Sequence, residues 1–160
     1  MRIIVRLAGF LVTVIAVAGG FFLISMRLKL RPVHEVLWKT QRSFLNPRAM
    51  RDAGQPGAYA SIVRHTGRTS GKEYETPVGV VQHGDEFVVA LPYGTSPDWF
   101  KNVMTAGSAV LVTEGATYEV DRPELVSSEI GNAYFDPKEQ RIHRIFGVDE
   151  FLILHTAEPA

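Results

Sequence analysis

The sequence predicts an α+β fold: an antiparallel β-barrel with short helices, preceded by one N-terminal transmembrane helix. Three observations carry this reading. After Gly57 the chain breaks into short β-patterned runs separated by tight turns rich in glycine. The helical patterns among those runs are few and short, so the strand-then-long-helix alternation of a doubly wound parallel sheet is missing. Ahead of the body, Leu7–Met26 is a run of 20 residues without a charge.

Taken in order, Leu7–Met26 is apolar all the way round rather than on one stripe. At about 1.5 Å per residue it reaches about 30 Å, the thickness of a bilayer's hydrocarbon core. The alternative is a cleaved signal peptide, with Arg2 and Arg6 before the run and Ala16-Val17-Ala18 as the cleavage site. Cleavage there would leave the apolar Gly20–Met26 at the mature terminus, which favours an anchor. Arg27, Lys29, Arg31, Lys39 and Arg42 follow the span, against two arginines before it. The positive-inside tendency then sets the body on the cytoplasmic side of the plasma membrane. The domains expected are an anchor with basic flanks over 1–31, an amphipathic connector over 32–57, and a barrel over 58–160. Within the connector His34–Leu45 spaces its apolar residues for a short helix, which Asn46-Pro47 and Gly54-Gln55-Pro56-Gly57 terminate.

In the body, Tyr59–His65 alternates as a strand and ends in a turn over Thr66–Gly71. Tyr74–Val81 is the next strand, and Pro77 inside it implies an edge position or a bulge. His83-Gly84-Asp85 turns the chain into the apolar strand Glu86–Leu91. Pro92–Pro97 is a loop, and Asp98–Ala106 a helix with Ser96 as its cap and Gly107 as its stop. Ala109–Thr113 and Thr117–Val120 form a hairpin about Glu114-Gly115. Asp136-Pro137 opens a helix that runs to Phe146 before Gly147. Phe151–His155 is the sixth and last strand.

Composition narrows the function. The 160 residues are 46% hydrophobic with no Cys, which excludes a disulfide scaffold, thiolate metal sites and thiol catalysis. The 17 basic and 17 acidic side chains are unevenly placed: nine basic residues but only Glu35 and Asp52 fall in 1–60. An acidic body with a basic front end suits an anionic lipid surface or an anionic ligand near the N-terminal segment, and excludes a nucleic-acid partner. The five histidines show no H-x-x-x-H or H-x-E spacing, and no Ser sits in a G-x-S-x-G elbow. No metal site and no serine hydrolase are expected.

Two stretches carry chemistry. His65-Thr-Gly-Arg-Thr-Ser-Gly-Lys72 sets glycines, hydroxyls and two cations in one turn. Backbone N–H groups of such a turn can cradle an anion that Arg68 or Lys72 neutralises. It is not a Walker A loop: three residues, not four, separate the glycines, Glu73 follows the lysine, and a strand comes next. A solvated hairpin turn is the other reading. The second stretch, Ala90–Asn102, leads an apolar strand through a Pro/Gly loop into a helix N-terminus. Its Tyr93 and Trp99 offer flat surfaces for a ring system; otherwise Trp99 and Phe100 are core.

Together and in this order the two stretches resemble the deazaflavin-dependent nitroreductase/quinone reductase family of split β-barrels, relatives of flavin-nucleotide-binding barrels. The resemblance covers about residues 58–126: TGRTSGKEYETPVGVV matches a T-G-R-x-[ST]-G turn followed by a strand with Pro. GDEFVVALPYG and DWFKNVMTAGSAVL match its apolar strand, loop and W-x-x-N helix. It implies that Arg68, Thr69 and Ser70 hold the phosphate of coenzyme F420, an 8-hydroxy-5-deazaflavin, with Lys72 as an additional contact. Thr76, Pro77 and Val78 would face the ring opposite Ala90, Leu91, Pro92 and Tyr93, and Trp99 and Asn102 would close the site.

Some relatives have Lys where Thr69 stands and Arg where Tyr74 stands, so this cradle is less cationic. Nitro-reducing relatives carry several tyrosines before the last strand, where this chain has Tyr134, with Phe135, His143 and Phe146 around it. An anchor favours a lipid-soluble quinone as acceptor, and Tyr93, Tyr134 or His143 could hydrogen-bond the developing oxyanion. Two other functions compete: the same chemistry with FMN, and a non-catalytic barrel binding a lipid or fatty acyl chain. Split barrels often pair to complete their site, so a homodimer is an expected assembly.

Overall fold

Apolar and β-branched runs between glycine turns give seven strands. They are β1 (Ser61–Thr66), β2 (Glu73–Val78), β3 (Val80–His83), β4 (Glu86–Ala90), β5 (Ser108–Thr113), β6 (Ala116–Ser127) and β7 (Glu150–Thr156). Helix α1 (Asp98–Ala106) lies between β4 and β5. Between β6 and β7 come the short α2 (Ser128–Gly131), a 3-10 turn (Asn132–Tyr134) and α3 (Pro137–Phe146). This computed structural model describes residues 49–157 together with Val17, Gly19, Gly20 and Ile24, which are helical. Apart from those four positions, the expected anchor Leu7–Met26 and the connector helix His34–Leu45 lie outside the described residues. Among the described residues no helix is long and apolar enough to cross a membrane.

All strand pairs are antiparallel, in the order β2-β1-β5-β6-β7-β4-β3. Strands β2 and β3 form the two edges of this sheet, yet Gly79 alone separates them in the chain. One intervening residue spans about 7 Å at most, so the sheet must curl until its edges meet. That is a barrel, and its open seam runs beside Gly79.

The structure redraws two expected strands. Tyr74–Val81 is not one strand but β2 and β3, broken at Gly79 where the chain passes from one sheet edge to the other. Pro77 sits in edge strand β2, where its missing N–H costs no ladder bond to an outer neighbour. The strand expected over Thr117–Val120 runs on to Ser127. A register shift between Asp121 and Glu124 makes room for Arg122, at φ 48°, and for Pro123. The bulge lets β6 pair with β5 along its first half and with β7 along both halves. The β5–β6 turn is tight enough to hold both Glu114 (φ 49°) and Gly115 (φ 76°) in the left-handed region.

Alternation on the central strands builds two layers of core. Leu152 and Leu154 of β7 join Phe87 and Val89 of β4, Val63, Leu111 and Val120 inside the barrel, closed by Phe100 and Val103 of α1. The intervening Phe151 and Ile153 face the other side, with Val88, Val126, Phe135 and Val148 beneath α3. Gly131 is required there, because a Cβ would strike the side chain of Phe151. A third patch, Ala53, Ala60 and Ile62, with Met50 and Val112, packs the segment ahead of β1 onto the barrel. The Gly54 N–H donates to Ala60 O at 2.8 Å, and the Gly115 N–H donates to Gly54 O at 2.6 Å. This places Tyr59, 97% exposed, at the barrel's rim.

Candidate functional site

The β1–β2 turn closes on itself through Gly67 N–H to Lys72 O at 2.7 Å and Gly71 N–H to Gly67 O at 2.8 Å. A Cβ at Gly67 would come within 2.7 Å of the Tyr74 ring and would also collide with Ser70 Oγ, so a larger residue here would push both side chains aside. Ser70 Oγ and Tyr74 Oη are 3.1 Å apart. Arg68 turns toward α1: its Nη2 lies 3.0 Å from Asp98 Oδ1, and its Nη1 donates to Asn102 Oδ1 at 2.8 Å. The Arg68 backbone N–H donates to the same oxygen at 3.1 Å.

Asn102 and His65 are both buried, at 4% and 7% exposure, and they continue the chain of contacts. Asn102 Nδ2 is 3.1 Å from His65 Nδ1, and His65 Nε2 is 3.2 Å from Thr76 Oγ1. The His65 ring stacks on Tyr74 with centroids 5.8 Å apart. Burial lowers the His65 pKa below the usual histidine range, and the Asp98 carboxylate only partly opposes it.

Across from this wall, β4 ends in a turn closed by Gly94 N–H to Leu91 O at 2.9 Å. Burial pushes the Tyr93 phenol upward, so it stays protonated at neutral pH. Helix α1 starts at Pro97 as N-cap with no side-chain cap, not at Ser96 as expected. Ser96 is drawn back into the preceding turn, its Oγ donating to Tyr93 O at 3.0 Å.

Between the two walls lies a cleft of about 850 Å³. Arg68, Thr69 and Ser70 line its turn end, Thr76, Pro77 and Val78 one wall, and Ala90, Leu91, Pro92 and Tyr93 the other, with Trp99 and Asn102 at the helix. Of the residues singled out from sequence, Lys72 does not line it and stays exposed. Tyr134 is elsewhere, its Oη donating to Glu86 Oε2 at 2.9 Å, a bond that raises its pKa. His143 lines a separate hollow beside α3. Among the further cleft residues to which the sequence assigned no role are His65, Tyr59, Tyr74 and Asp98. His65 had a legible signal, since it alternates with Val63 on the inward face of β1. The pairing of Arg68 with Asp98 and Asn102, 30 and 34 residues away, had none. Among the described residues no cluster of side chains suits a metal ion.

The cleft fits a flat ring with an anionic tail. Pro77, Val78, Ala90 and Leu91 give it apolar walls, and Arg68, among the described residues the one arginine in its lining, stands in a glycine turn at one end.

Comparison with known proteins gives the family. No curated protein matches the chain. Among solved structures, an F420-H2 dependent reductase (FDR-A) has 14% identity and a TM-score of 0.48, over 61% of this chain and 94% of that one. A domain-swapped dimer has 14% identity and a TM-score of 0.48, over 78% and 99%. A protein from Clostridium acetobutylicum related to general stress protein 26, of the pyridoxinephosphate oxidase family, has 12% identity and a TM-score of 0.45, over 70% and 80%. The family model for F420H(2)-dependent quinone reductase matches residues 48–134, more than half of the chain and all of the cleft. The chain belongs to the F420H(2)-dependent quinone reductase family and is an oxidoreductase.

Proposed function

We propose that this protein holds reduced F420 across the cleft and reduces a quinone-like small molecule presented at the cytoplasmic face of a membrane. The observation that carries the reading is the meeting of the Gly67–Gly71 turn and the Ala90–Asn102 stretch on one cleft of about 850 Å³. Arg68 would neutralise the phosphate of the coenzyme's side chain, helped by the hydroxyls of Thr69 and Ser70. Pro77 and Val78 would lie along one face of the ring, and Leu91 and Pro92 along the other. The coenzyme supplies a two-electron hydride; the chain's part is to bind, orient and exclude water.

Reduction of a quinone also requires a proton at the developing oxyanion. Tyr93 is the residue assigned to it in this reading: it lines the cleft, and its burial keeps the phenol protonated. Tyr134 and His143 do not line the cleft, so Tyr93 is the assignment preferred here. The uncharged run before the barrel supports a membrane setting, where a bilayer-dissolved acceptor would be met at high effective concentration.

The test is a titration of the purified full chain with oxidised F420 and, in parallel, FMN, followed by tryptophan fluorescence. Saturable F420 binding with FMN much weaker is expected. A preference for FMN would exchange the cofactor, and binding of neither would remove the reading. Membrane setting is checked separately: the protein should pellet with membranes and resist alkaline carbonate, and soluble recovery would sink that part.

A further inference from the structure

We propose that His65 is a positioning residue: its fixed tautomer makes the Thr76 hydroxyl a hydrogen-bond donor aimed at an acceptor atom of the ring bound in the cleft. The inference rests on the proposed function for the identity of the ring, but its logic lies in the protein alone.

The chain of assignments starts at Arg68, which has donors only. Its backbone N–H and its Nη1 both point at one atom of Asn102, at 3.1 and 2.8 Å, so that atom must be the carbonyl oxygen. The amide nitrogen then faces His65 Nδ1 at 3.1 Å. An amide NH2 can only donate, so Nδ1 must be the bare, accepting nitrogen of a neutral ring. The proton therefore sits on Nε2, which points at Thr76 Oγ1 at 3.2 Å and donates to it.

With its oxygen occupied as an acceptor, the Thr76 hydroxyl has its own hydrogen left to place. Among the described residues, His65 is the only hydrogen-bond partner of that hydroxyl. Thr76 lines the cleft, so the remaining hydrogen serves a carbonyl oxygen or ring nitrogen of the ligand.

The surroundings of His65 hold this state. The Tyr74 ring from β2 covers one face at 5.8 Å, Asn102 from α1 holds Nδ1, and the Asp98 carboxylate of α1 is the charge that would favour an imidazolium. Arg68 draws that carboxylate into its own ion pair at 3.0 Å. A protonated ring would set an N–H against the Asn102 NH2. Flipping the amide would set its NH2 against Arg68. The network has one consistent arrangement, and it ends in the cleft.

Two measurements on the full chain test this. In the first, nitrogen NMR of the histidine rings without cofactor should show His65 with bare Nδ1 and protonated Nε2 at pH 8, and a titration displaced below the usual histidine range. A protonated Nδ1, or titration in the usual histidine range, overturns the inference. In the second, Thr76→Val, nearly the same shape, should weaken F420 binding about tenfold. Thr76→Ser should restore it to within about twofold, with native-like melting, while Thr76→Val melts lower because His65 Nε2 loses its acceptor. Native-like affinity in Thr76→Val overturns the inference while the proposed function survives. A native chain that binds no F420 removes the proposed function and the inference together, so the two failures are told apart.

Discussion

Helices α1 and α3 have 9 and 10 residues, and each stops at a left-handed glycine, Gly107 and Gly147. They begin differently. Asp136 caps α3 by accepting from the N–H groups of Lys138 and Glu139, both at 2.8 Å, with Pro137 at the first position. Helix α1 has Pro97 at its N-cap and no side-chain cap. The first turn of α1 is instead tied to the rest of the protein by Arg68, which reaches Asp98 and Asn102 across 30 and 34 residues. The two histidines beside these helices follow suit. His143 Nδ1 faces the carbonyl oxygen of Asn132 at 2.8 Å, eleven residues away, and so donates. His65 Nδ1 accepts, from a residue 37 positions away. Around α3, in the closed half of the barrel, these polar groups are satisfied within eleven residues of chain. Around α1, in the cleft half, they are satisfied at long range, and a helix start and the Thr76 hydroxyl are left at the cleft.

The contrast makes separable demands on mutants. The largest effect belongs to the closed half: Phe151→Ala should cost about 3–5 kcal/mol, since Phe151 is fully buried between Phe135 and Gly131 beneath α3. Denaturant unfolding measures it, and a loss under about 1 kcal/mol would mean that this half is loosely packed. Next is Arg68→Ala, which should weaken F420 binding by about 1.5–3 kcal/mol. Its partly exposed ion pair with Asp98 contributes little to folding, so the unfolding midpoint should barely move. Equal losses in binding and stability would show that the cleft network is mere scaffolding. Smaller again, Asp136→Ala should cost about 1 kcal/mol of stability and leave F420 affinity unchanged. A change in affinity would couple the halves that the structure keeps apart.

The sequence revealed what is local. Gly107, Gly147, Asp136-Pro137 and the Glu114-Gly115 turn are each specified within a few residues, and their helices and hairpin lie where expected. The composition of the cleft was legible too: fourteen of its lining residues fall in two stretches already marked by glycines, hydroxyls and aromatics. Illegible was whatever depends on distant partners. Gly79 looked like a residue within a strand, because nothing nearby says that β2 and β3 end at opposite edges. The strand was expected to end at Val120, because the β7 residues that carry β6 past its bulge, Glu150–Ile153, follow only after the intervening helices. His65 looked scattered among five histidines, because Asn102 and Thr76, which give it a role, flank it only in the fold.

The smallest effect is the most direct comparison of the two histidines. Burial lowers the pKa of both, against opposing charges on Asp98 and Glu139 respectively. A histidine whose folded pKa lies below its unfolded value, about 6.5, binds fewer protons in the folded state. Stability then rises with pH, because the unfolded chain takes up the extra proton. The contribution is full above about pH 6.5 and is lost as pH falls through the folded-state values. Unfolding free energy should therefore drop between pH 7 and pH 5, and His65→Gln and His143→Gln should each flatten part of that slope. The two variants should part company on binding. In the His65 variant F420 affinity falls and loses its acid sensitivity, while in the His143 variant it keeps both. A stability that rises on acidification would reverse the sign argued for both rings. Equal effects of the two variants on F420 affinity would instead abolish the distinction between a histidine that serves the cleft and one that only closes the barrel.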